Sequence, residues 1–251
     1  MKQVWNIFSP FLVYYAACVV VGNIFIEAMY EYPTEVSSVA ALLAIPFFMW
    51  MVSRDRKKDE EAGIKRNNKA PLKLYGLVAG ASVCAAIALN NVILVFNLSA
   101  LSDSYQDAAQ MLYSPAFLMQ IVCLGIIFPI MEEYLFRGLI YSRIRKHMTV
   151  KWAIFISSLF FGMYHGNVVQ AVYGMVAGML LAFFYEKYGS MKAPILGHML
   201  MNITSCVVTA LNGFTWMLSG KVKAGLFTAV FAGIAIVLIR RIREIEEKSL
   251  Q

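Results

Sequence analysis

Two adjacent carboxylates stand in this chain where hydrocarbon is expected. The stretch Met131-Glu132-Glu133-Tyr134-Leu135-Phe136-Arg137-Gly138 follows an apolar run, Phe117 to Met131, in which Gln120 is the only polar side chain. An ionised group at membrane depth costs at least ~2.5–3.5 kcal/mol, so such residues are functional candidates. Glu133 and Arg137 are four residues apart, share a helix face, and place the acid N-terminal to the base, the favoured order. Their pairing neutralises one carboxylate. Glu132 points about 100° away on a 3.6-residue helix and has no partner in its own segment. A carboxyl group left without a partner in such surroundings is suited to proton transfer.

Composition supports the membrane setting. Of 251 residues, 60% are hydrophobic and 15% charged, and the mean hydropathy is +0.64. A soluble domain is roughly half apolar and a quarter charged. The net charge of +7 raises the question of nucleic acid. The basic residues instead cluster in short segments between apolar runs, the pattern of cytoplasmic loops of an inner membrane, and no nucleic-acid partner is expected. Cys18, Cys84, Cys123 and Cys206 fall inside apolar runs without CxxC spacing, and read as small hydrophobes rather than disulfides or a metal cluster. The first apolar run lacks a small-residue cleavage site and is expected to be a retained span.

Eight apolar runs can be drawn, at about 7–29, 36–52, 75–98, 115–136, 152–169, 171–186, 193–211 and 222–239. The expected fold is all-α, a polytopic transmembrane bundle of about eight spans forming a single integral membrane domain over 1–251. About 20 residues are needed to cross, so the second and sixth runs are short. Lys and Arg set the topology: eight lie in 53–74, five in 137–151 and four in the tail, against none in 30–35, 99–114 and 167–171. Both termini are therefore expected in the cytoplasm, with only Lys221 and Lys223 outside. The polar segment 53–74 reads as a solvated, topology-setting loop near anionic lipid, and the tail from Arg240 as an extension of the last helix. Within the spans, Asn90 and Asn91 read as interhelical hydrogen-bonders, and Gly174 with Gly178 as a close-packing face.

His147 sits in a basic stretch and is expected to be solvated, which leaves His165 and His198 within the apolar runs. His198 and Asn202 are four apart and share a face. If the fourth and fifth helices continue to a turn at His147-Met148-Thr149, Glu132 lies 16 residues before Met148 and His165 lies 17 after it. At 1.5 Å per residue both are roughly 24–26 Å from the turn, level in an antiparallel hairpin. His198, eight residues past Ser190, is about 12 Å from its own turn. The depths agree if the hairpin projects about 12 Å into the cytoplasm, which puts the site in the membrane but nearer its cytoplasmic face. An unpaired acid, two imidazoles and a carboxamide at one level point to a catalytic or metal site.

The same residues carry a resemblance. Glu132-Glu133-x-x-x-Arg137, Phe161-x-x-x-His165 and His198-x-x-x-Asn202, in this order and spacing, are similar to the three motifs of the CAAX-protease and bacteriocin-processing family (CPBP, or Abi). These are intramembrane endopeptidases that include the CAAX prenyl proteases. The resemblance covers about 114–212, the expected catalytic core; residues 1–110 match only as additional spans.

The resemblance implies hydrolysis of a peptide bond in a membrane-associated or small precursor peptide. Glu132 with His165 would hold and deprotonate the attacking water, and His198 and Asn202 would donate to the oxyanion, a term worth about 3–4 kcal/mol per donor. Glu133 and Arg137 would support the Glu132 helix. Water access to a buried site favours the cytoplasmic-side depth. A zinc version, with Glu132, His165 and His198 as ligands, is the alternative, although HExxH is absent; a site without metal is favoured. A non-catalytic scaffold, immunity factor or transporter is the other alternative. The motif residues are all kept, and inverted repeats of the kind transporters carry are absent. The size and short loops fit a protein of the bacterial inner membrane, whose partners are the peptide substrate and membrane lipid.

Overall fold

The computed structural model describes residues 2–63 and 74–249; of the polar segment read at 53–74, residues 64–73 lie outside the described residues, as do residues 250–251 of the tail. All regular structure among the described residues is helical. In chain order the helices are α1 (Lys2–Ile24), α2 (Ile26–Glu31), α3 (Pro33–Glu61), α4 (Tyr75–Val95), α5 (Asp103–Tyr113), α6 (Phe117–Arg145), α7 (Val150–Met163), α8 (Val168–Tyr188), α9 (Lys192–Ala210), α10 (Gly213–Met217) and α11 (Lys221–Ser249). The protein is a polytopic helical bundle and an integral membrane protein. Seven of its helices, α1, α3, α4, α6, α8, α9 and α11, are long and apolar enough to cross a membrane.

The fifth expected span is the exception. α7 has 14 residues, about 21 Å at 1.5 Å per residue, short of the ~30 Å hydrocarbon core. The chain turns at 164–167, with Gly166 at φ +76° and the Asn167 side chain accepting from the Gln170 backbone N–H at 2.8 Å to begin α8. His165 therefore lies in this turn, just past the end of α7, and not inside a helix as the apolar run to 169 suggested. Other boundaries moved outward: α6 continues through Arg145, so Arg137 to Arg145 belong to the same helix as Glu132, and α3 continues through the basic residues to Glu61. The turn between α6 and α7 falls at His147-Met148-Thr149, as the depth argument required.

α8 is the wall shared by two cores. Its Ala182 and Tyr185 pack with Phe48, Met131, Leu135, Phe136 and Leu139 of α3 and α6. Its Ala177, Leu181, Phe184 and Tyr188 pack with Val78, Ala81 and Ala86 of α4 and Met201 of α9. A helix apolar all round is expected to be buried, and α8 is so over its second half, while Val168, Val172 and Val176 near its start face outward. α11 packs on α4 but turns Leu226, Val230 and Val237 outward, as a lipid-facing helix does.

Glycines set the closest approach. A Cβ on Gly162 would stand 2.2 Å from the Ala171 carbonyl oxygen, and one on Gly178 would stand 3.0 Å from Ser158 Cβ. α7 and α8 are thus in backbone contact, the arrangement the Gly174 and Gly178 spacing led us to expect. Asn90 of α4 also behaves as expected, donating to Ser205 Oγ of α9 at 3.0 Å. Gly162→Ala should destabilise the purified protein by about 1–3 kcal/mol or more through overpacking, read as a fall in thermal unfolding temperature. Gly233→Ala, with nothing within 4 Å of the added carbon, should not lower it.

Candidate active site

α6 is not a uniform α-helix. It widens to π-helical turns at Cys123–Ile127 and again at Tyr134–Tyr141. Such wide turns recur at functional sites because they turn side chains away from the regular helical stripe. Glu132 and Glu133 sit between the two, at the end of the α-helical piece Phe128–Glu133.

Glu133 is fully buried, and its Oε1 accepts from two sides. Arg137 Nη1 donates at 2.7 Å, and His198 Nδ1 lies at 2.8 Å. Glu133 Oε2 is buried with no hydrogen-bond partner among the described residues. Arg137 is just as deep, 1% exposed. Its Nη2 donates to the Gly178 carbonyl of α8 at 3.0 Å, and its guanidinium lies 4.5 Å over the Phe161 ring of α7. The expected i,i+4 pair forms, and it does more than steady its own helix: it joins α6 to α7, α8 and α9.

Glu132 faces a different way, as the 100° offset required. Its Oε2 is 3.6 Å from His198 Nε2, so the His198 imidazole spans the two glutamates. Glu132 lines a cavity of about 430 Å³ together with His165, His198 and Asn202. His165 Nδ1 is 2.9 Å from the Phe161 carbonyl oxygen. An N–H at Nδ1 fits that contact and leaves Nε2 as a lone pair. The His165 ring sits edge-on to Phe161 and Tyr164, at 5.1 and 5.5 Å between centroids. Asn202 donates one amide N–H to the Leu124 carbonyl at 2.8 Å, inside the first wide turn of α6.

All six motif residues thus meet, from α6, the α7–α8 turn and α9. Two features were not legible in the motifs. One donor on each of His198 and Asn202 is already engaged, by Glu133 and by Leu124. The cavity also extends in the direction opposite to the one expected for water access. By residue count along α6 and α9 the carboxylates are nearer the basic end, where the 53–61 and 143–151 segments lie. From there the cavity runs to the other end, where Ser37, Asn90, Tyr105 and Tyr113 line it. On the basic side of Glu132, the α6 residues Leu135, Leu139, Ile140 and Tyr141 are sealed from solvent. Tyr105 and Tyr113 come from α5, a short helix with alternating apolar and polar faces that the sequence reading left as a connection. Burial pushes the hydroxyl pKa of both tyrosines up, desolvation being the main cause, so both present neutral donors.

Comparison with known proteins finds likeness in the segment that carries these residues. Residues 114–204 match the family model described as type II CAAX prenyl endopeptidase Rce1-like, and all six motif side chains fall within the match. That segment is similar to the CPBP family. A Bacillus subtilis (strain 168) protein named "Putative membrane peptidase YdiL" is 30% identical over 84 residues, which is 34% of this chain and 34% of that protein. The matched part is thus a minority of either protein's length. No solved structure matches this chain significantly.

The buried pair sets a stability test. Glu133→Gln leaves Arg137 charged and unpaired in the interior, which should cost about 3–5 kcal/mol. Adding Arg137→Met should restore a large part of that loss. Chemical unfolding of the single and double variants in detergent checks the expectation.

Proposed function

We propose that the protein is an intramembrane endopeptidase in which Glu132 and His165 activate water against a peptide carbonyl. The observation that carries this reading is the convergence of Glu132, His165, His198 and Asn202 on one cavity. Nothing in a purely structural role requires two imidazoles, an acid outside the Arg137 pair and a carboxamide to line the same space.

Each residue has a part. Glu132, free of the Arg137 pair, takes the proton of a water that also hydrogen-bonds the His165 Nε2 lone pair, and the resulting hydroxide adds to the scissile carbonyl carbon. The carbonyl oxygen becomes an oxyanion facing His198 Nε2–H and the second amide N–H of Asn202. Collapse of the tetrahedral species breaks the C–N bond, and Glu132 returns its proton to the departing amine. Glu133 holds the His198 ring through Nδ1, and with an N–H at each ring nitrogen His198 enters the step as an imidazolium balanced by the glutamates. With His198 charged, Glu132, Glu133, Arg137 and His198 sum to no net charge, the least costly state for a buried cluster. Oriented donors of this kind act where water is excluded and are worth more there than in bulk.

The donor set supports chemistry without metal. His198 presents both ring nitrogens to carboxylates, Nδ1 to Glu133 and Nε2 toward Glu132. Zinc held by Glu132, His165 and His198 would require His198 Nε2 to turn from Glu132 to the metal.

The cavity and the relatives support a substrate class. Its walls are largely aromatic and aliphatic with polar groups at both ends, which suits an apolar peptide segment drawn from a membrane-associated or small precursor peptide. By the bias of Lys and Arg, we place both termini and the basic end in the cytoplasm of a bacterial inner membrane, so the cavity extends toward the outer half of the bilayer.

Glu132→Gln should abolish peptide release in a comparison of host peptides with and without the variant, while the thermal unfolding curve stays unchanged; persistent cleavage would remove Glu132 from the mechanism. Asn202→Ala should lower kcat by about 10²–10³-fold. Chelator treatment should leave wild-type turnover intact, and its loss with recovery on added zinc would favour the metal reading.

A further inference from the structure

A second concavity, of about 240 Å³, lies at the opposite end of the molecule from the peptide cavity's far wall. Its lining includes Arg54 and Lys58 of α3, Arg143 of α6, and Lys146 and His147 of the following turn, with Asp55 as the carboxylate among them. The start of α1 closes it through Asn6, whose carbonyl accepts from Arg143 Nη1. Basic loops that only set topology need to be basic in sequence. They do not need to converge, from positions nearly ninety residues apart, on one recess.

The charges in that recess do not cancel. Asp55 Oδ2 accepts from Arg143 Nε at 2.7 Å, and its Oδ1 is 3.4 Å from Arg54 Nη2. Asp59 accepts from Lys146. Lys58 is exposed and has no ion-pair partner among the described residues. Arg54, Lys58, Arg143 and Lys146 therefore face two carboxylates, which leaves two positive charges over with His147 neutral. The ion pairs fix Arg143 and Lys146 in place, so a ligand would meet a preset pair of cations and two exposed ones able to close on it.

The tryptophans give the level. Trp5, Trp50 and Trp152 are all exposed, by 63%, 54% and 59%, and all lie at this end. Trp is enriched where the membrane meets water, at headgroup depth. Trp5 adjoins Asn6, and Trp50 lies one turn before Arg54, whose guanidinium sits 5.1 Å from the Trp50 ring. The recess is therefore held at the height of lipid phosphates, and basic pockets between spans at this face suit anionic headgroups.

We propose that this recess binds a phosphate group, as offered by the phosphodiester of an anionic lipid at the membrane surface. Bound there, the phosphate bridges α1, α3 and the α6–α7 turn, and so braces the end of the helix that carries Glu132 and Glu133. This holds whether or not the protein cleaves peptides.

The test is thermal unfolding of the full chain in a zwitterionic detergent, titrated separately with short-chain phosphatidylglycerol, short-chain phosphatidylcholine and inorganic phosphate at matched ionic strength. We expect a saturable rise of several degrees with phosphatidylglycerol and none with phosphatidylcholine, together with retained phosphatidylglycerol in native mass spectra. A comparable saturable rise with inorganic phosphate would assign the same site to a free anion. The Arg54→Ala/Lys58→Ala variant should lose at least four-fifths of the response. Lys58→Ala alone, which removes one exposed and unpaired amine, should weaken it in the same direction without altering the unliganded unfolding temperature. An equal rise with phosphatidylcholine, no rise with either anion, or a full response in the double variant would overturn the proposal.

Discussion

Glu133 is the residue on which the rest of the structure turns. A carboxylate with no exposure to solvent is intolerable alone and useful when paired. Arg137 and His198 meet the same oxygen, and Arg137 reaches on to the Gly178 carbonyl and the face of Phe161. Four helices are thereby placed by one cluster. Replacing such a cluster with hydrocarbon of equal volume is often neutral or stabilising, so stability alone is a weak reason for it to exist. Its geometric effect is more specific: it fixes the azimuth of α6, which decides which of two neighbouring glutamates faces the cavity.

Backbone detail then positions the remaining groups. His165 comes to the cavity that Glu132 lines because α7 stops after 14 residues and the chain turns there. The close contact of Gly162 with the α8 backbone holds that turn against its neighbour. Asn202 is oriented by a carbonyl from a wide turn of α6, where the departure from regular α geometry lets Leu124 bond to a side chain of α9. Side chains that read as a chemical set in the sequence thus depend on two departures from ideal helix, one short and one wide.

Hydropathy and the Lys and Arg bias were enough to give the helical membrane class, the α6–α7 turn and most span positions, because apolar length and charge are local properties. The partners of Glu132 were reachable too, since equal depth in a hairpin needs only residue counts. What could not be read was azimuth between helices remote in sequence. His198 meets Glu133 as well as Glu132 only because α9 crosses α6 at a particular rotation, and no spacing within either helix encodes that. The end of α7 was missed for another reason. Tyr164, His165 and Val168 look apolar enough to continue the run, and the stop comes from Gly166 and the Asn167 cap, single residues inside an otherwise continuous stretch.

The direction of the cavity follows from the same asymmetry. Toward the basic end, α6 is walled by Leu135, Leu139 and Ile140, and beyond them Tyr141 donates to Glu186 while Arg143 and Lys146 bond to aspartates of α3. An apolar plug capped by ion pairs is a poor path for water or peptide. Toward the other end the wall contains Asn90, Ser205, Tyr105 and Tyr113, groups that hydrate or hydrogen-bond a chain passing them. In the proposed reading, one end of the bundle is held at the membrane surface and the other admits the peptide. Depth nearer the basic end and access from the opposite end are compatible, because a group at the base of an open cavity keeps a low-dielectric surround on its other sides. That combination strengthens the oriented donors around Glu132 and leaves a route for the water that the proposed hydrolysis would consume.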